Sequence, residues 1–372
     1  MSAVERGAIF FLTGPPGVGK STVARALADR SEKSIYFDID LMRLRVVKGL
    51  SLPKPGAFSA KTREQFLLAH VATGRAAAMY ADAGLDVVAE HCSHTEYIEA
   101  FIQAAGPTSV VSLFAKIESN LKRNLQRSSD SFDYAGLDFV IKMLSESMPP
   151  EHAEAGYQVL DTTQLSIEQT VDQIIQAQTI EPKDIEEACH KKRAPIFFLT
   201  GAPGVGKSTT GQALANRFRQ SILFDIDYFR SLVVKGLKQP TTGWDEETET
   251  QFRLAHQSVG AIAKTYSEAG FAVIAEHCSS YDMVQEFLDY SEGGIVVCLR
   301  SEMETNLARN LLRTNKSFDP KDIEHFVLSL GDSLHIEFEK HQMMVLNNTN
   351  LPVEKAVEVI LSLDPARVQP KG

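Results

Sequence analysis

The sequence predicts an α/β protein of two tandem domains, each a five-stranded, mostly parallel sheet sandwiched by helices. Three observations predict it. Short β-branched or aromatic runs alternate with longer amphipathic segments, the pattern of a parallel sheet with helices on both faces. A glycine-rich stretch, "GPPGVGKS" at 14–21, joins the first strand to the first helix. The arrangement then recurs, since Lys207 follows Lys20 and Asp225 follows Asp38 by 187 residues, and Glu276 follows Glu90 by 186.

The elements follow in order. Residues 8–13, with the apolar run "IFFLT", predict a strand, and the helix at 19–30 opens directly after the glycines. Strands are predicted at 34–38 ("SIYFD"), 86–90 ("DVVAE"), 108–114 ("TSVVSLF") and 157–161, and helices at 60–83, 94–105, 117–128, 135–146 and 166–177. The second half repeats the landmarks in the same order: "FDIDLMRLRVVKGL" with "FDIDYFRSLVVKGL", "VVAEHCS" with "VIAEHCS", "NLKRNLQR" with "NLARNLLR", and "YQVLDTT" with "MMVLNNT". Agreement over that span makes each half a complete domain rather than a short stacked repeat. The expected division is 1–180, a charge-rich linker at 181–194 closing just before Pro195, and 195–372.

A chain of 372 residues with 44% hydrophobic residues has enough apolar material for two ordinary cores. Its net charge of −10 disfavours nucleic acid and anionic lipid as partners. The cysteines Cys92, Cys189, Cys278 and Cys298 form no CxxC pair, which suits a reducing compartment. No stretch nears the ~20 apolar residues of a membrane span, and the first residues lack a signal-peptide core. A cytoplasmic location is expected, and nothing fixes an oligomeric state.

Gly14, Gly17, Gly19, Lys20 and Ser21 fit G-x-x-x-x-G-K-[ST] between a strand and a helix, the context a phosphate-binding P-loop requires. The glycines let backbone N–H groups turn toward a polyphosphate, and the helix N-terminus adds its dipole. Lys20 can bridge the β- and γ-phosphates of a nucleotide and Ser21 can ligate Mg²⁺. Gly201, Gly204, Gly206, Lys207 and Ser208 repeat the set, while Thr22 and Thr209 either touch the α-phosphate or cap the helix. After the second strand come Asp38, Asp40 and Arg43, matched by Asp225, Asp227 and Arg230. Continued as a strand, this segment presents Asp38 and Asp40 on one face, one to hold the metal through water and the other to take a hydroxyl proton. Arg43 can then bind a polar or anionic acceptor. The alternative is a helix-capping aspartate and a solvated arginine.

"GxxGxGKST" followed about 20 residues later by "DxDxxR" resembles the small P-loop kinases: chloramphenicol phosphotransferase, shikimate kinase, adenylylsulfate kinase and the kinase domain of polynucleotide kinase. The resemblance covers about residues 8–178 and 195–364. It implies that the aspartate three residues before the arginine activates the acceptor hydroxyl, giving that role to Asp40 and Asp227 and leaving Asp38 and Asp225 nearer the metal. Chloramphenicol phosphotransferase lacks an obvious counterpart of the whole "FDIDxxR" string, so its substrate is not carried over.

Glu90 and Glu276 end the third strand, where these enzymes more often keep an aspartate, and either order Mg²⁺ or bind substrate. Glu90, His91 and Cys92 cannot all face one metal from a regular strand, which argues against zinc. His91 and His277 are expected to pack or to touch substrate. Asn120, Arg123, Asn124 and Arg127 fall at i, i+3, i+4 and i+7, one polar stripe repeated by Asn306, Arg309, Asn310 and Arg313. Its arginines can close over a triphosphate, and the stripe is similar to the lid helix of the kinase group. The acceptor side is expected near Gln65 and His70, with Gln251 and His256, while Phe58 and Trp244, which could stack on a substrate, are expected in the core. Arg63 stands where the second half has Glu249, so the two pockets need not favour the same acceptor.

The expectation is an ATP- and Mg²⁺-dependent kinase acting on a hydroxyl of a small molecule at two similar sites. Within that class, "DxDxxR" also allows a polynucleotide 5′-hydroxyl kinase, which the acidic charge opposes. The rival from another class is a nucleotide-binding regulatory ATPase without a phosphorylated acceptor. Loss of the lysine or the base would mark it, and both halves keep both.

Overall fold

The computed structural model describes residues 4–53, 58–125, 138–183, 193–240, 243–311, 324–331 and 333–363. From the N-terminus the elements are β1 (Ile9–Thr13), α1 (Lys20–Asp29), β2 (Ser34–Asp38), α2 (Ile39–Arg43), β3 (Val46–Lys48), α3 (Ala60–Asp82), β4 (Asp86–Glu90), α4 (Thr95–Ala105), β5 (Thr108–Phe114), α5 (Ile117–Leu125), α6 (Asp138–Glu154), β6 (Gln158–Asp161), α7 (Ile167–Ile174) and β7 (Thr179–Ile180). The same order resumes with β8 (Ile196–Thr200), α8 (Lys207–Ala215), β9 (Ser221–Asp225), α9 (Ile226–Ser231), β10 (Val233–Lys235), α10 (Glu246–Glu268), β11 (Ala272–Glu276), α11 (Tyr281–Ser291), β12 (Ile295–Arg300), α12 (Met303–Leu311), α13 (Glu324–Gly331), α14 (Leu334–Lys340), β13 (Met344–Asn347) and α15 (Val353–Leu361). The predicted strands and helices stand close to their expected bounds. Residues 126–128 and 135–137 of the predicted helices lie outside the described residues, as does most of the predicted linker. Helix α6 runs on through Pro149 and Pro150 to Glu154, past the point where proline reads as a stop in a sequence.

The chain divides into two compact units that are discontinuous in sequence: Met1–Arg43 with Ser51–Glu187 and Ser231–Gly243, and Leu44–Leu50 with Ala188–Arg230 and Trp244–Gly372. In the first, five parallel strands run in the order β2-β4-β1-β5-β6, with β10 antiparallel on β2 and β7 antiparallel on β5. In the second the parallel order is β9-β11-β8-β12-β13, with β3 antiparallel on β9. The five-stranded parallel sheet is thus present in each unit, with short antiparallel strands added at its margins. The short outer strand on β2 comes from the second half of the sequence and the one on β9 from the first.

The central strands are apolar along their length because both faces are covered. Phe11 on β1 packs edge-on against Phe101 of α4 with ring centroids 4.9 Å apart, and Phe198 of β8 meets Phe287 of α11 at 4.8 Å. In the first unit Asp38 pairs with Glu90 across β2 and β4, and Leu12 with Glu90 across β1 and β4. Parallel register therefore brings three strand ends and their carboxylates to one edge, where open α/β sheets bind ligands.

One position in the turn after β1 admits glycine alone. Gly14 has φ 136°, and a Cβ there would lie 2.1 Å from the Leu113 carbonyl oxygen. Gly14→Ala is expected to lower the thermal unfolding midpoint, because the backbone conformation alone costs about 1–3 kcal/mol before the clash is counted. A melt unchanged from wild type contradicts this.

Candidate functional site

The loop from β1 to α1 has left-handed backbone at Gly17 and Gly19, φ 84° and 104°, and Gly204 and Gly206 repeat it at 90° and 94°. A Cβ on Gly19 would meet nothing within 4 Å, whereas one on Gly17 would stand 2.5 Å from the Asn120 carbonyl oxygen. Gly19 thus faces an open side of the loop, and Gly17 lets α5 close on its back. Lys20 Nζ donates to the carbonyls of Gly14 at 3.0 Å and Pro15 at 3.3 Å, and Lys207 to those of Gly201 at 2.8 Å and Ala202 at 3.1 Å. Both lysines are buried. Gly19 and Gly206 are themselves the N-caps of α1 and α8. Thr22 and Thr209 are exposed one turn in and do not cap.

The carboxylates depart from the extended-strand expectation. Strand β2 stops at Asp38, and Ile39–Arg43 is helical, so Asp38 and Asp40 do not share a strand face. Asp38 Oδ1 instead accepts from the backbone N–H of Asp40 at 2.9 Å and Leu41 at 3.4 Å, capping α2, and Asp225 accepts from Asp227 N–H at 3.0 Å. A short polar residue before a helix satisfies otherwise unpaired donors in this way. Burial, then the nearby charges of Glu90 and Asp40, push the Asp38 carboxyl up to about 6. Ser21 Oγ donates to Glu90 Oε1 at 2.5 Å, and the Tyr36 hydroxyl donates to the same oxygen at 3.0 Å. Leu223 holds the matching place on β9, so the second unit carries no phenol there. The Asp38 carboxyl, raised by burial and then by Glu90 and Asp40, stands with Glu90 beside the Ser21 hydroxyl, where a divalent cation would offset the buried charge. Hard oxygen donors of this kind suit Mg²⁺, which Ser21 with Asp38 in the first unit, and Ser208 with Asp225 in the second, could hold. Among the described residues no group of three or more His, Cys, Asp or Glu forms a metal cage, so water and phosphate oxygens would complete the coordination.

Asp40 lies one turn before Arg43 on α2. Arg43 is 6% exposed and donates from Nη1 to Asp40 Oδ1 at 3.0 Å and from Nη2 to the Ser51 carbonyl at 3.3 Å. Its guanidinium covers the Phe66 ring at 3.5 Å, as Arg230 covers Phe252 at 3.5 Å. The arginines are therefore buried struts and not solvated, and Arg230 stands 3.7 Å from Asp227. Asp40 keeps 42% of its side chain exposed and Asp227 55%, so an acceptor can reach each carboxylate. Burial would raise Asp40, but the charges of His91, Arg43 and Lys20 outweigh it and hold the carboxyl well below the usual range.

His91 Nε2 lies 3.3 Å from Asp40 Oδ1, and its Nδ1 is 2.7 Å from Ser93 Oγ. Ser93 Oγ is also 2.7 Å from His70 Nε2, and His70 Nδ1 is 2.7 Å from the Phe66 carbonyl. The second unit repeats the chain through Asp227, His277, Ser279, His256 and the Phe252 carbonyl at 3.2, 2.8, 2.7 and 2.7 Å. His70 and His256 are fully buried and belong to this chain rather than to the lining of an acceptor pocket. Ser93 and Ser279 were not singled out by motif, although each closes the shared "EHCS" string 23 residues after its histidine.

Burial, reinforced by His91, pushes His70 well below its ordinary range, and burial with His277 pushes His256 down to about 3. Both are neutral when folded, while unfolded histidine titrates near 6.5. The stability they confer is complete above about 6.5 and is lost as pH falls from there toward 3, at ~1.4 kcal/mol per unit of pKa difference. Asp38 acts oppositely, losing stability as pH rises from about 4 to about 6, but it is one group against two. The urea midpoint is expected to fall from pH 7.5 to pH 4.5, and a flat or rising profile contradicts this.

In the expected lid stripe Asn120, Asn124, Asn306 and Asn310 are fully buried or nearly so, and the Asn120 amide donates to Ser145 Oγ of α6 at 3.3 Å. Arg123 Nη1 donates to the Val18 carbonyl of the P-loop at 3.2 Å. In the second unit the Asn348 amide takes the equivalent Val205 carbonyl at 2.6 Å, and Arg309 donates to the carbonyls of Asn348 and Thr349 at 3.4 and 3.3 Å. Arg127 and Arg313 lie outside the described residues. Phe58 and Trp244, expected in the core, are 53% and 56% exposed, with ring centroids 5.3 Å from Phe66 and 4.9 Å from Phe252. Gln65 Oε1 accepts from Ser51 N–H at 2.8 Å and braces the loop after β3. Arg63 pairs with Glu96, whereas Glu249 pairs with Arg253.

A P-loop followed by helix α1, a parallel sheet ordered β2-β4-β1-β5-β6 and a carboxylate pair at the end of β2 decide the architecture. Each unit is an α/β fold built around a P-loop. The sequence model described as the ATPase family associated with various cellular activities (AAA) matches residues 10–73. No curated protein matches the sequence. Among solved structures the chain is similar to a sugar kinase from Janibacter sp. HTCC2649, at 16% identity over 47% of this chain and 99% of that one, TM-score 0.35. It is similar also to shikimate kinase from Acinetobacter baumannii in complex with shikimate, at 24% identity over 46% and 95%, TM-score 0.32. A third is the tunicamycin resistance protein of Deinococcus radiodurans, at 17% identity over 46% and 98%, TM-score 0.32. Each of these comparisons covers a little under half of this chain. Among the described residues no helix is long and apolar enough to cross a membrane.

Proposed function

We propose that the chain is an ATP- and Mg²⁺-dependent phosphotransferase that moves the γ-phosphate to a hydroxyl of a small-molecule acceptor, with one site in each unit. The observation that carries the reading is the reachable carboxylate of Asp40, and of Asp227, held between a buried arginine and a histidine beside the P-loop.

Lys20 and Lys207 exchange their loop carbonyls for phosphate oxygens and offset charge as it develops on the transferring group. Mg²⁺, when bound, neutralises phosphate charge, and Ser21 with Asp38, or Ser208 with Asp225, would hold it. Asp40 is a weak base at rest, since His91, Arg43 and Lys20 favour its ionised form. Phosphoryl transfer through a loose transition state asks first for alignment. The carboxylate orients the acceptor hydroxyl and receives its proton as the new O–P bond forms and the bond to the leaving ADP breaks. Arg43 and Arg230, with Glu90 and Glu276, border the acceptor side, and Arg123 and Arg309 would cap the phosphates, the role the sequence pattern also gives Arg127 and Arg313.

Incubating the full chain with [γ-³²P]ATP, Mg²⁺ and a panel of hydroxyl compounds tests the reading, and label in an organic product is expected. The match to the AAA family model over residues 10–73 favours a second reading, a nucleotide-binding ATPase without an acceptor. Label released only as inorganic phosphate supports that one.

A further inference from the structure

The buried chain behind each aspartate has a polarity that its end fixes. A backbone carbonyl only accepts, so His70 Nδ1 must donate to Phe66 O at 2.7 Å. His70 is neutral, its charge opposed by burial, which leaves Nε2 an acceptor. Ser93 Oγ must then donate its single proton to His70 Nε2 at 2.7 Å and accept from His91 Nδ1–H at 2.7 Å. With Nδ1 so engaged, the His91 ring can turn only Nε2 toward Asp40. The same steps run through Phe252, His256, Ser279, His277 and Asp227.

The anchoring continues into the main chain. Ser93 N–H donates to Thr13 Oγ1 at 3.1 Å, and Thr13 Oγ1 donates back to Ser93 O at 3.2 Å. In the first unit His152 Nε2 also reaches Ser93 O at 3.0 Å, with Nδ1 on Ser112 Oγ at 2.7 Å. Phe338 and Cys298 take those places in the second unit, where Thr200 Oγ1 alone among these donates to Ser279 O, at 2.9 Å. Thr13 and Thr200 end the strands that lead into the P-loops, so each serine ties the histidine chain to the strand that sets the phosphate cradle.

We propose that Ser93 and His70, and likewise Ser279 and His256, are positioning residues that fix the ring orientation of His91 and His277, with Nε2 toward the carboxylate, and so aim Asp40 and Asp227 at the acceptor hydroxyl. The inference rests on the phosphotransferase reading above. It differs from simple packing because the hydrogen-bond partners require the Nδ1–H form of His70 and leave the Ser93 proton one place. Outer partners of this kind orient inner groups elsewhere, and their loss typically costs about 10- to 100-fold in activity.

The test has two arms on the full chain. ¹⁵N-histidine NMR of the wild type is expected to show His70 and His256 as Nδ1–H tautomers, and the His91 ring resonances are expected to shift in Ser93→Ala. An Nε2–H tautomer at His70, or His91 resonances unmoved in Ser93→Ala, overturns the proposal, and the wild-type spectrum needs no variant to fold. The kinetic arm uses Ser93→Ala in a Lys207→Ala background, so that the first site alone reports, and Ser279→Ala in Lys20→Ala as the second variant. Turnover with acceptor is expected to fall about 10- to 100-fold with the KM for ATP unchanged. Wild-type transfer that these serine changes leave untouched contradicts the positioning role alone. A wild type that transfers nothing contradicts the phosphotransferase reading and the positioning role with it.

Discussion

The double variant Asp40→Asn/Asp227→Asn is expected to lose about 100- to 10,000-fold of its transfer rate while nucleotide affinity stays near wild type. Asparagine keeps the size of the side chain and an oxygen for Arg43 Nη1 at its 3.0 Å contact, but it cannot accept the hydroxyl proton. Because the P-loop contacts of Lys20 and Lys207 do not involve the aspartate, binding and chemistry separate. Steady-state turnover beside a fluorescent-nucleotide titration measures both. Loss of turnover with a parallel loss of affinity would mean that the aspartates support the fold of the site rather than the reaction.

The second large effect is expected from the lysines taken one at a time. Lys20→Ala removes the cation of the first P-loop and Lys207→Ala that of the second, each costing its own site about 100- to 1,000-fold. If both sites work, each single variant keeps the activity of the intact unit and only the double variant loses nearly all of it. The differences around the two sites favour unequal shares. Tyr36 donates to Glu90 in the first unit where Leu223 stands in the second, and Arg63 pairs with Glu96 where Glu249 pairs with Arg253. Turnover of the two single variants across the same acceptor panel measures those shares. A single variant as dead as the double would assign all activity to one unit.

Much of the fold was legible because its signals are local. A strand such as Ile9–Thr13 is apolar on both faces, and the glycines that follow adopt the left-handed backbone their sequence advertises. The carboxylate end of β2 was misread as continued strand. Asp38 caps a helix there, and capping competes with strand extension over a few residues that periodicity cannot separate. The Asn/Arg stripe was read as a lid face for its arginines, and the burial of Asn120, Asn124, Asn306 and Asn310 is a tertiary effect that spacing along one helix does not show.

Pairing of the short outer strands was beyond the sequence for a different reason. Val46–Lys48 and Val233–Lys235 both read "VVK", so each matches either partner equally, and only the sheets show that β3 lies on β9 and β10 on β2. The histidine chain was hidden by distance. His70 and Ser93 stand on different elements 23 residues apart, and no short-range motif joins them.

The most direct measurement is transfer of label from [γ-³²P]ATP into a metabolite extract by the wild-type chain, run beside Asp40→Asn/Asp227→Asn. A phosphorylated hydroxyl compound that forms with the wild type and is lost with the double variant is the predicted result. Label that appears only as inorganic phosphate, or a product that forms equally with the double variant, would contradict the account.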